Sequence, residues 1–405
     1  MTTVVIGASL AGFKVAQELR RHQYADEIVL IGEESHQPYD RPPLSKGLLS
    51  GTVEADTLQL ASPASYAELA IELRLGVAVT DVDLGARRLR TSDGTWHGYQ
   101  TLVIAAGARP RRLPALESFV NVHYLRTIDD ATALRERLPS IARLAVVGGG
   151  LIGGEAAATA RRLGIEVTVI DVLERPFHRT LGAYAGSLIE EHHRDMGVTF
   201  ACGAPIAGYA GDASVEEIHL ADGRVIATDA VLVGVGVVPN VEFLDRSGLD
   251  LADGVLCDAT GRCGEAVWAV GDIARWDRSD GLTPRRFEHW SNAVDHARAV
   301  AWNIVAPEDG ARRHAAGIPY FWTDQYDHKV QVFGTPAAAD EFVPLTSDPD
   351  PFKLSGVFCR DGRVAAGIAI NAVREVPAVR RLVADATPAS DLADAVAIRE
   401  GRMIR

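Results

Sequence analysis

Two glycine-rich turns, each followed downstream by an acid at the end of an apolar run, are the residues of this 405-residue chain whose types and spacing could do chemistry. The first is Val4-Val5-Ile6-Gly7-Ala8-Ser9-Leu10-Ala11-Gly12 and the second is Val146-Val147-Gly148-Gly149-Gly150-Leu151-Ile152-Gly153. Glycines at this spacing let a strand turn sharply into a helix and let the backbone approach a pyrophosphate, which the free N–H groups and positive end of the helix then hold. Glu33, after Glu27–Ile31, and Asp171, after Glu166–Ile170, are placed to accept hydrogen bonds from a ribose diol. A carboxylate at 171 also repels a 2′-phosphate, so the second loop favours NADH over NADPH although Arg175 and Arg179 follow it. The second motif is complete, whereas the first has Ser9 for its middle glycine, a side chain small enough to allow the approach. Two loops bind two dinucleotides, and two dinucleotides in one chain point to a relay of electrons.

Each loop needs a strand before it and a helix after it. Phe13 to Arg21 and Glu155 to Leu163 have helical pattern, and Thr101–Ala105 and Ala230–Val233 are apolar strands that end in the glycine turns Ala106-Gly107 and Gly234-Val235-Gly236. This alternation is that of an α/β architecture built as a loose internal repeat. Beyond it come the strand-like Val267–Ala269 ahead of Gly271-Asp272, and a helix near Asn292 to Ile304. From Pro319 the texture changes to short strands, Lys329–Phe333, Lys353–Cys359 and Arg363–Ile370, which reads as a small α+β domain, with a loop at Ser347–Pro351.

A hydrophobic fraction of 47% with 23% charged residues is ordinary for a soluble globular chain. A net charge of −13 argues against nucleic acid and anionic membrane as partners. No apolar run approaches the roughly 18 residues that span a bilayer, and the N-terminus enters a strand without a basic leader, so a cytoplasmic protein is expected. The cysteines are Cys202, Cys257, Cys263 and Cys359. None forms a C-x-x-C pair, so they read as packing residues, and no metal is expected.

The motifs resemble those of the FAD-dependent NADH:ferredoxin reductases that serve Rieske-type dioxygenases and bacterial haem monooxygenases, the putidaredoxin reductase and aromatic-ring dioxygenase type. The resemblance covers essentially the whole chain. Its most specific pieces are Pro38-Tyr39-Asp40-Arg41-Pro42-Pro43-Leu44-Ser45-Lys46, Tyr124-Leu125-Arg126-Thr127, Gly271-Asp272, Glu288-His289-Trp290 and Phe321-Trp322-Thr323-Asp324-Gln325. It implies a glutathione-reductase-like flavoprotein with two dinucleotide-binding domains. FAD would lie on a domain made of residues 1–109 and 242–318, NADH on 110–241, with a C-terminal reductase domain at 319–405. By the same resemblance Gly7, Ser9, Ala11 and Gly12 meet the FAD pyrophosphate, Glu33 its ribose, Val79 its adenine end and Asp272 the ribityl–pyrophosphate region. Arg41, Lys46, Ala106, Gly107, Arg126 and Trp290 complete the FAD set. Gly148, Gly150, Ile152, Gly153, Glu155, Asp171 and Gly236 take NADH.

The implied chemistry is hydride transfer from the nicotinamide to the flavin, then single electrons to an acidic iron–sulfur ferredoxin docking near the flavin. Lys46, paired with Glu155, would approach the flavin, and Trp290 and Trp322 would flank it. Read without that resemblance, these are a loop lysine, a first-turn acid favoured by the helix dipole, and two packing aromatics. Arg285-Arg286, Arg312-Arg313 and Lys329 are candidates for a local positive patch that steers the ferredoxin. The molecule would be a monomer or homodimer. A disulfide reductase or NADH oxidase is disfavoured, because the run at Lys46 has no redox cysteine and the first cysteine is Cys202. A quinone reductase is disfavoured because Leu392 to Arg405 shows no amphipathic membrane helix. A flavin-bearing signalling protein akin to apoptosis-inducing factor would share the same fold.

Overall fold

The computed structural model describes residues 2–277, 284–307, 310–314, 317–337, 339–346 and 352–392. The expected loop at Ser347–Pro351 and all but the first residue of the expected tail Leu392–Arg405 lie outside the described residues. The chain divides into two compact units, one drawn from Met1–Asp40, Ala55–Arg109 and Val237–Gly317, the other from Arg41–Glu54, Pro110–Gly236 and Ile318–Arg405.

The first unit is built on a six-stranded sheet in the order Arg262–Gly264, Val267–Ala269, Thr101–Ile104, Thr2–Ile6, Glu27–Ile31, Ile71–Arg74. Thr2–Ile6 runs parallel to both of its neighbours, with Val4 opposite Val29 on one side and Leu102 on the other. A central parallel strand is covered on both faces, which is why Val4-Val5-Ile6 is a continuous apolar run that buries entirely. The helix Leu10–Arg21 follows, burying Phe13, Val15, Ala16 and Leu19 against the sheet and ending on Arg20 and Arg21, which suit the negative end of its dipole. The returning stretch adds the helix Trp290–Val305, which packs along Leu10–Arg21.

The second unit carries a five-stranded parallel sheet in the order Val198–Cys202, Glu166–Asp171, Arg143–Val147, Ala230–Val233, Val122–His123. The helix Leu151–Arg162 follows its glycine turn. The same unit holds an antiparallel five-stranded sheet, Tyr320–Gln325, His328–Gly334, Arg363–Ile370, Leu354–Arg360, Glu341–Pro344, covered by the helix Val376–Ala384. The α/β architecture with a small α+β C-terminal part is therefore present as expected. One core joins the two sheets: Leu134, Ala156, Phe177, Leu181 and Ile189 bury with Phe321, Val330, Phe358 and Ile370. The helix His178–Asp195 breaks at Gly182, φ 75°, where a Cβ would stand 2.4 Å from the Phe358 ring.

Arg41–Glu54 belongs with the second unit although its chain neighbours on both sides belong to the first. Its Pro42–Ser45 turn and the short helix Gly47–Ser50 bury Leu49 in the second unit's core, and the Thr159 hydroxyl donates to the Ser45 carbonyl at 2.8 Å.

Candidate functional site

In the first unit the opening strand delivers the chain into Gly7, φ 115°, where a Cβ would lie 2.2 Å from the Ala105 carbonyl oxygen. A Cβ on Gly12 would lie 2.1 Å from the Gly7 oxygen, so the turn closes only without side chains at these positions. Ser9 caps the helix Leu10–Arg21 in extended conformation, and its hydroxyl makes no capping hydrogen bond, which leaves the first-turn amides as donors for an anion. Glu33 is exposed one residue past Gly32, whose missing side chain admits Ala8. Gly271, φ 72°, would place a Cβ 2.9 Å from that of Ala11, which brings the Gly271–Ile273 turn and Asp272 to the same loop. Burial pushes the nearby His289 imidazole down to about 4 against the pull of the Asp272 carboxylate. Trp290 starts its helix half-exposed, its indole N–H donating to Asp40 at 2.7 Å. The Ala106 carbonyl accepts from the Asn240 side chain at 2.8 Å, and the Gly107 carbonyl accepts from the Asn240 amide at 3.0 Å. Val79 sits half-buried at the start of a strand that packs on the same core. The unit thus gathers Gly7, Ser9, Ala11, Gly12 and Asp272 around one helix N-terminus, a cradle that suits the pyrophosphate of FAD.

The second loop repeats the geometry. A Cβ on Gly148, φ 102°, would meet the Gly234 oxygen at 2.4 Å, and one on Gly153 the Gly148 oxygen at 2.2 Å. Gly150 differs: nothing lies within 4 Å of its Cβ position, and it caps its helix without a side chain. That is the open approach a pyrophosphate needs. Gly236, φ 100°, is equally open. The Asp171 carboxylate is fixed by two amides, Gly149 N–H at 2.8 Å and Leu173 N–H at 2.9 Å, so one side chain holds the glycine loop and the turn after its own strand. Ile152 is exposed in the first turn of the helix, and Val172 and Leu173 are exposed directly after Asp171, Val172 at 65%. The sequence reading ended at Asp171 and singled out neither Val172 nor Leu173.

The same unit assembles the polar cluster that contains Lys46. The Lys46 ammonium lies 2.6 Å from Glu155 Oε2 and also donates to the Pro42 carbonyl at 2.9 Å. The Ser45 hydroxyl donates to Glu155 Oε2 at 2.5 Å and the Thr323 hydroxyl to Oε1 at 2.7 Å. Glu155 is 4% exposed and Lys46 23%, so this is a largely desolvated ion pair with both carboxylate oxygens satisfied. Arg41 donates to the Arg126 carbonyl, and the Arg126 and Thr127 amides donate to Asp130 in the capping box that starts the next helix. Trp322 is not drawn into the cluster. Along Tyr320–Gln325 burial alternates, so Phe321, Thr323 and Gln325 face inward while Trp322 stands on the other face beside Tyr320 and Lys329. Ser45, Thr323, Gln325 and His193 were missed in the sequence; the Phe-Trp-Thr-Asp-Gln run drew attention to its tryptophan rather than to the threonine beside it.

Four of the five cations expected to form a positive patch, Arg286, Arg312, Arg313 and Lys329, are engaged within the protein. Arg286 is 8% exposed and is held by Asp253 at 3.2 Å, Glu288 at 2.7 Å and the Asp272 carbonyl at 2.9 Å. Arg313 lies over the Trp302 ring at 4.0 Å, Arg312 donates to the Asn303 carbonyl, and Lys329 pairs with Asp324 at 3.1 Å. Carboxylates thus take up Arg286 and Lys329, a carbonyl takes Arg312 and an indole face takes Arg313, while Arg285 is exposed. All four cysteines are free thiols. Among the described residues no group of three His, Cys, Asp or Glu side chains could hold a metal ion. No helix among them is long and apolar enough to cross a membrane.

Comparison with known proteins gives two family matches: a pyridine nucleotide-disulphide oxidoreductase domain over residues 1–297 and a reductase C-terminal domain over 320–399. Rhodocoxin reductase of Rhodococcus erythropolis is 35% identical over 393 residues, covering 96% of this chain and 90% of that protein. The ferredoxin reductase component of chlorobenzene dioxygenase from a Cupriavidus species is 37% identical over 382 residues, covering 94% and 91%. Among solved structures, the covalent putidaredoxin reductase–putidaredoxin complex matches with a TM-score of 0.89 at 30% identity, covering 98% of each chain. The ferredoxin reductase for the CYP199A2 system of Rhodopseudomonas palustris matches with a TM-score of 0.92 at 32% identity, covering 99% and 100%.

Proposed function

The chain belongs to the pyridine nucleotide-disulphide oxidoreductase family and carries its reductase C-terminal domain, and from that premise we propose that it is an FAD-dependent ferredoxin–NAD⁺ reductase. It takes a hydride from NADH and hands electrons singly to an iron–sulfur ferredoxin that serves a monooxygenase or dioxygenase. The FAD, when bound, supplies the two-electron to one-electron conversion; the protein binds, orients and tunes. The Gly7–Gly12 loop, Glu33 and Asp272 hold FAD on the unit formed by the first stretch and its return after about residue 241. The Gly148–Gly153 loop and Asp171 hold NADH on 110–241. The observation that carries the reading is the Lys46–Glu155 pair at 2.6 Å in a stretch that precedes the chain's first cysteine, Cys202. A disulfide reductase needs a thiol beside its flavin; the corresponding run here offers instead a lysine paired with a glutamate, a cation and a carboxylate whose chemistry suits a reduced flavin and a nicotinamide. The relatives' names carry the same activity. NADH is a cytoplasmic currency, and the cytoplasm is the proposed compartment.

The test is anaerobic. NADH should bleach the flavin absorbance stoichiometrically, NADPH far more slowly, and an added two-iron ferredoxin should then be reduced in single-electron steps. A flavin that NADH reduces but that passes nothing to any of a panel of ferredoxins would overturn the assignment in favour of a signalling flavoprotein.

A further inference from the structure

A line of hydrogen bonds leaves Glu155 on the side away from Lys46 and runs into the core of the second unit. Thr323 Oγ1 is 2.7 Å from Glu155 Oε1, and Gln325 Nε2 is 3.2 Å from Thr323 Oγ1. His193 Nε2 is 2.6 Å from Gln325 Oε1, and the Tyr326 hydroxyl is 3.5 Å from His193 Nδ1. We propose that His193 is a positioning residue for the Lys46–Glu155 pair, acting through Gln325 and Thr323; this rests on the assignment of that pair to the hydride-transfer site.

The direction of every bond follows from what each atom is able to donate. A carboxylate in an ion pair only accepts, so the single Thr323 proton is committed to Glu155 and Thr323 Oγ1 must accept from Gln325. Gln325 therefore turns its NH₂ toward Thr323 and its carbonyl toward His193. A carbonyl oxygen at 2.6 Å requires a proton on His193 Nε2, which fixes the tautomer and leaves Nδ1 to accept from Tyr326. All the dipoles then point their positive ends at Glu155. With the imidazole unable to donate, Gln325 loses the partner that sets its amide. A flipped amide offers its oxygen to Thr323, which draws the hydroxyl proton away from Glu155 Oε1. Lys46 and Ser45 both bind Oε2, so Thr323 is the partner that keeps the carboxylate from rotating.

The surroundings hold the relay in place. His193 is fully buried, stacked on Phe177 at 5.6 Å and edge-on to Phe200 at 6.1 Å. Burial pushes its imidazole down to about 4 and the Tyr326 phenol up to about 12, so near neutral pH the ring is uncharged and the hydroxyl keeps its proton. A Cβ on Gly154 would lie 2.9 Å from Gln325 Oε1, so the helix that carries Glu155 has no side chain where the glutamine passes. Tyr326 is held at φ 53°, a left-handed conformation that costs a non-glycine residue free energy, in the two-residue turn that aims its ring at His193. A core histidine that served packing alone would need none of these.

The experiment uses the full-length flavin-loaded chain. With ¹⁵N-histidine labelling, NMR should find His193 neutral and protonated on Nε2; the Nδ1-protonated tautomer would overturn the proposal. H193F keeps the ring stack but cannot donate, and H193Q restores an N–H close to the position of Nε2. Flavin reduction by NADH should slow about tenfold in H193F, the equivalent of one hydrogen bond to a charged group. The NADH Kd should be unchanged, and H193Q should stay within about twofold of wild type. The infrared carboxylate bands that E155Q removes should shift in H193F and return in H193Q. Bands that stay put in H193F would sink the idea whatever the rates do. Should H193F not fold, Gln325→Met breaks the relay one step nearer Glu155 and is read in the same way. A wild-type flavin that NADH does not reduce would end the functional assignment, while the NMR and infrared results would still decide the role of His193.

Discussion

Lys46 and Glu155 are unequal partners. Glu155 is nearly sealed and Lys46 retains some water, so removing the lysine strands a buried carboxylate, whereas removing both charges strands nothing. Lys46→Met should therefore lower the free energy of unfolding by about 3 kcal/mol, while Lys46→Met combined with Glu155→Gln should recover most of that loss. Urea unfolding of the single and double variants measures this; equal destabilisation in both would mean the pair is a solvated one. Asp171 shows a second economy. Its oxygens are held by the amides of Gly149 and Leu173, so the carboxylate proposed to discriminate against a 2′-phosphate is oriented by the protein itself. Arg286 teaches the opposite lesson, because one member of a basic pair in sequence became a buried, fully engaged side chain while Arg285 stayed exposed.

At the scale of the elements, the glycines of the second loop separate into two kinds. Gly153 faces backbone at 2.2 Å, and Gly150 faces open space with φ −73°, a conformation that alanine adopts without strain. Gly153→Ala should cost about 2 kcal/mol or more of stability, since a backbone oxygen cannot step aside. Gly150→Ala should leave the urea midpoint unchanged yet weaken NADH binding at least about tenfold, by filling the pyrophosphate approach. Calorimetry of NADH binding beside the unfolding curve distinguishes the two. This contrast also marks what was legible beforehand. Gly148 and Gly153 meet within one turn, and such local contacts are written in spacing; the strands Glu27–Ile31 and Arg363–Ile370 were likewise bounded by their own apolar runs and turns. The contacts Thr323–Glu155 and His193–Gln325 span 168 and 132 residues, and no local pattern encodes them. Strand alternation turned Thr323 inward and Trp322 outward, a choice of face that the run itself left open. Arg41–Glu54 joined the second unit because Leu49 found its core there, which is again a matter of distant partners.

At the scale of the whole molecule, three imidazoles held down by burial contribute to the acid limb of stability. Burial holds His193 and His289 down to about 4 and His296 down to about 3, the last stacked on Trp276 at 3.9 Å. Unfolded, each takes a proton near pH 6.5. Between that pH and about 4 the unfolded chain binds protons that the native state refuses, so stability rises with pH through this window. It is complete above about 6.5 and is lost on acidification, by up to about 1.4 kcal/mol per pH unit for each histidine. The urea midpoint should therefore fall between pH 7 and pH 5, and His296→Phe should flatten that slope; an unchanged slope would transfer the effect to other groups.

The core that joins Leu134 and Phe177 to Phe358 and Ile370 sets a timetable for biosynthesis. A ribosome adds about 5–20 residues per second, so the half of the chain around the Gly148 turn leaves the exit tunnel roughly ten seconds or more before its last packing partners have been made. During that interval the Phe177 and Leu181 face has only part of its cover, from residues such as His193 and Phe200. The nascent chain is thus a natural client for ribosome-associated chaperones, and a message truncated before codon 354 would yield an aggregate rather than a smaller enzyme.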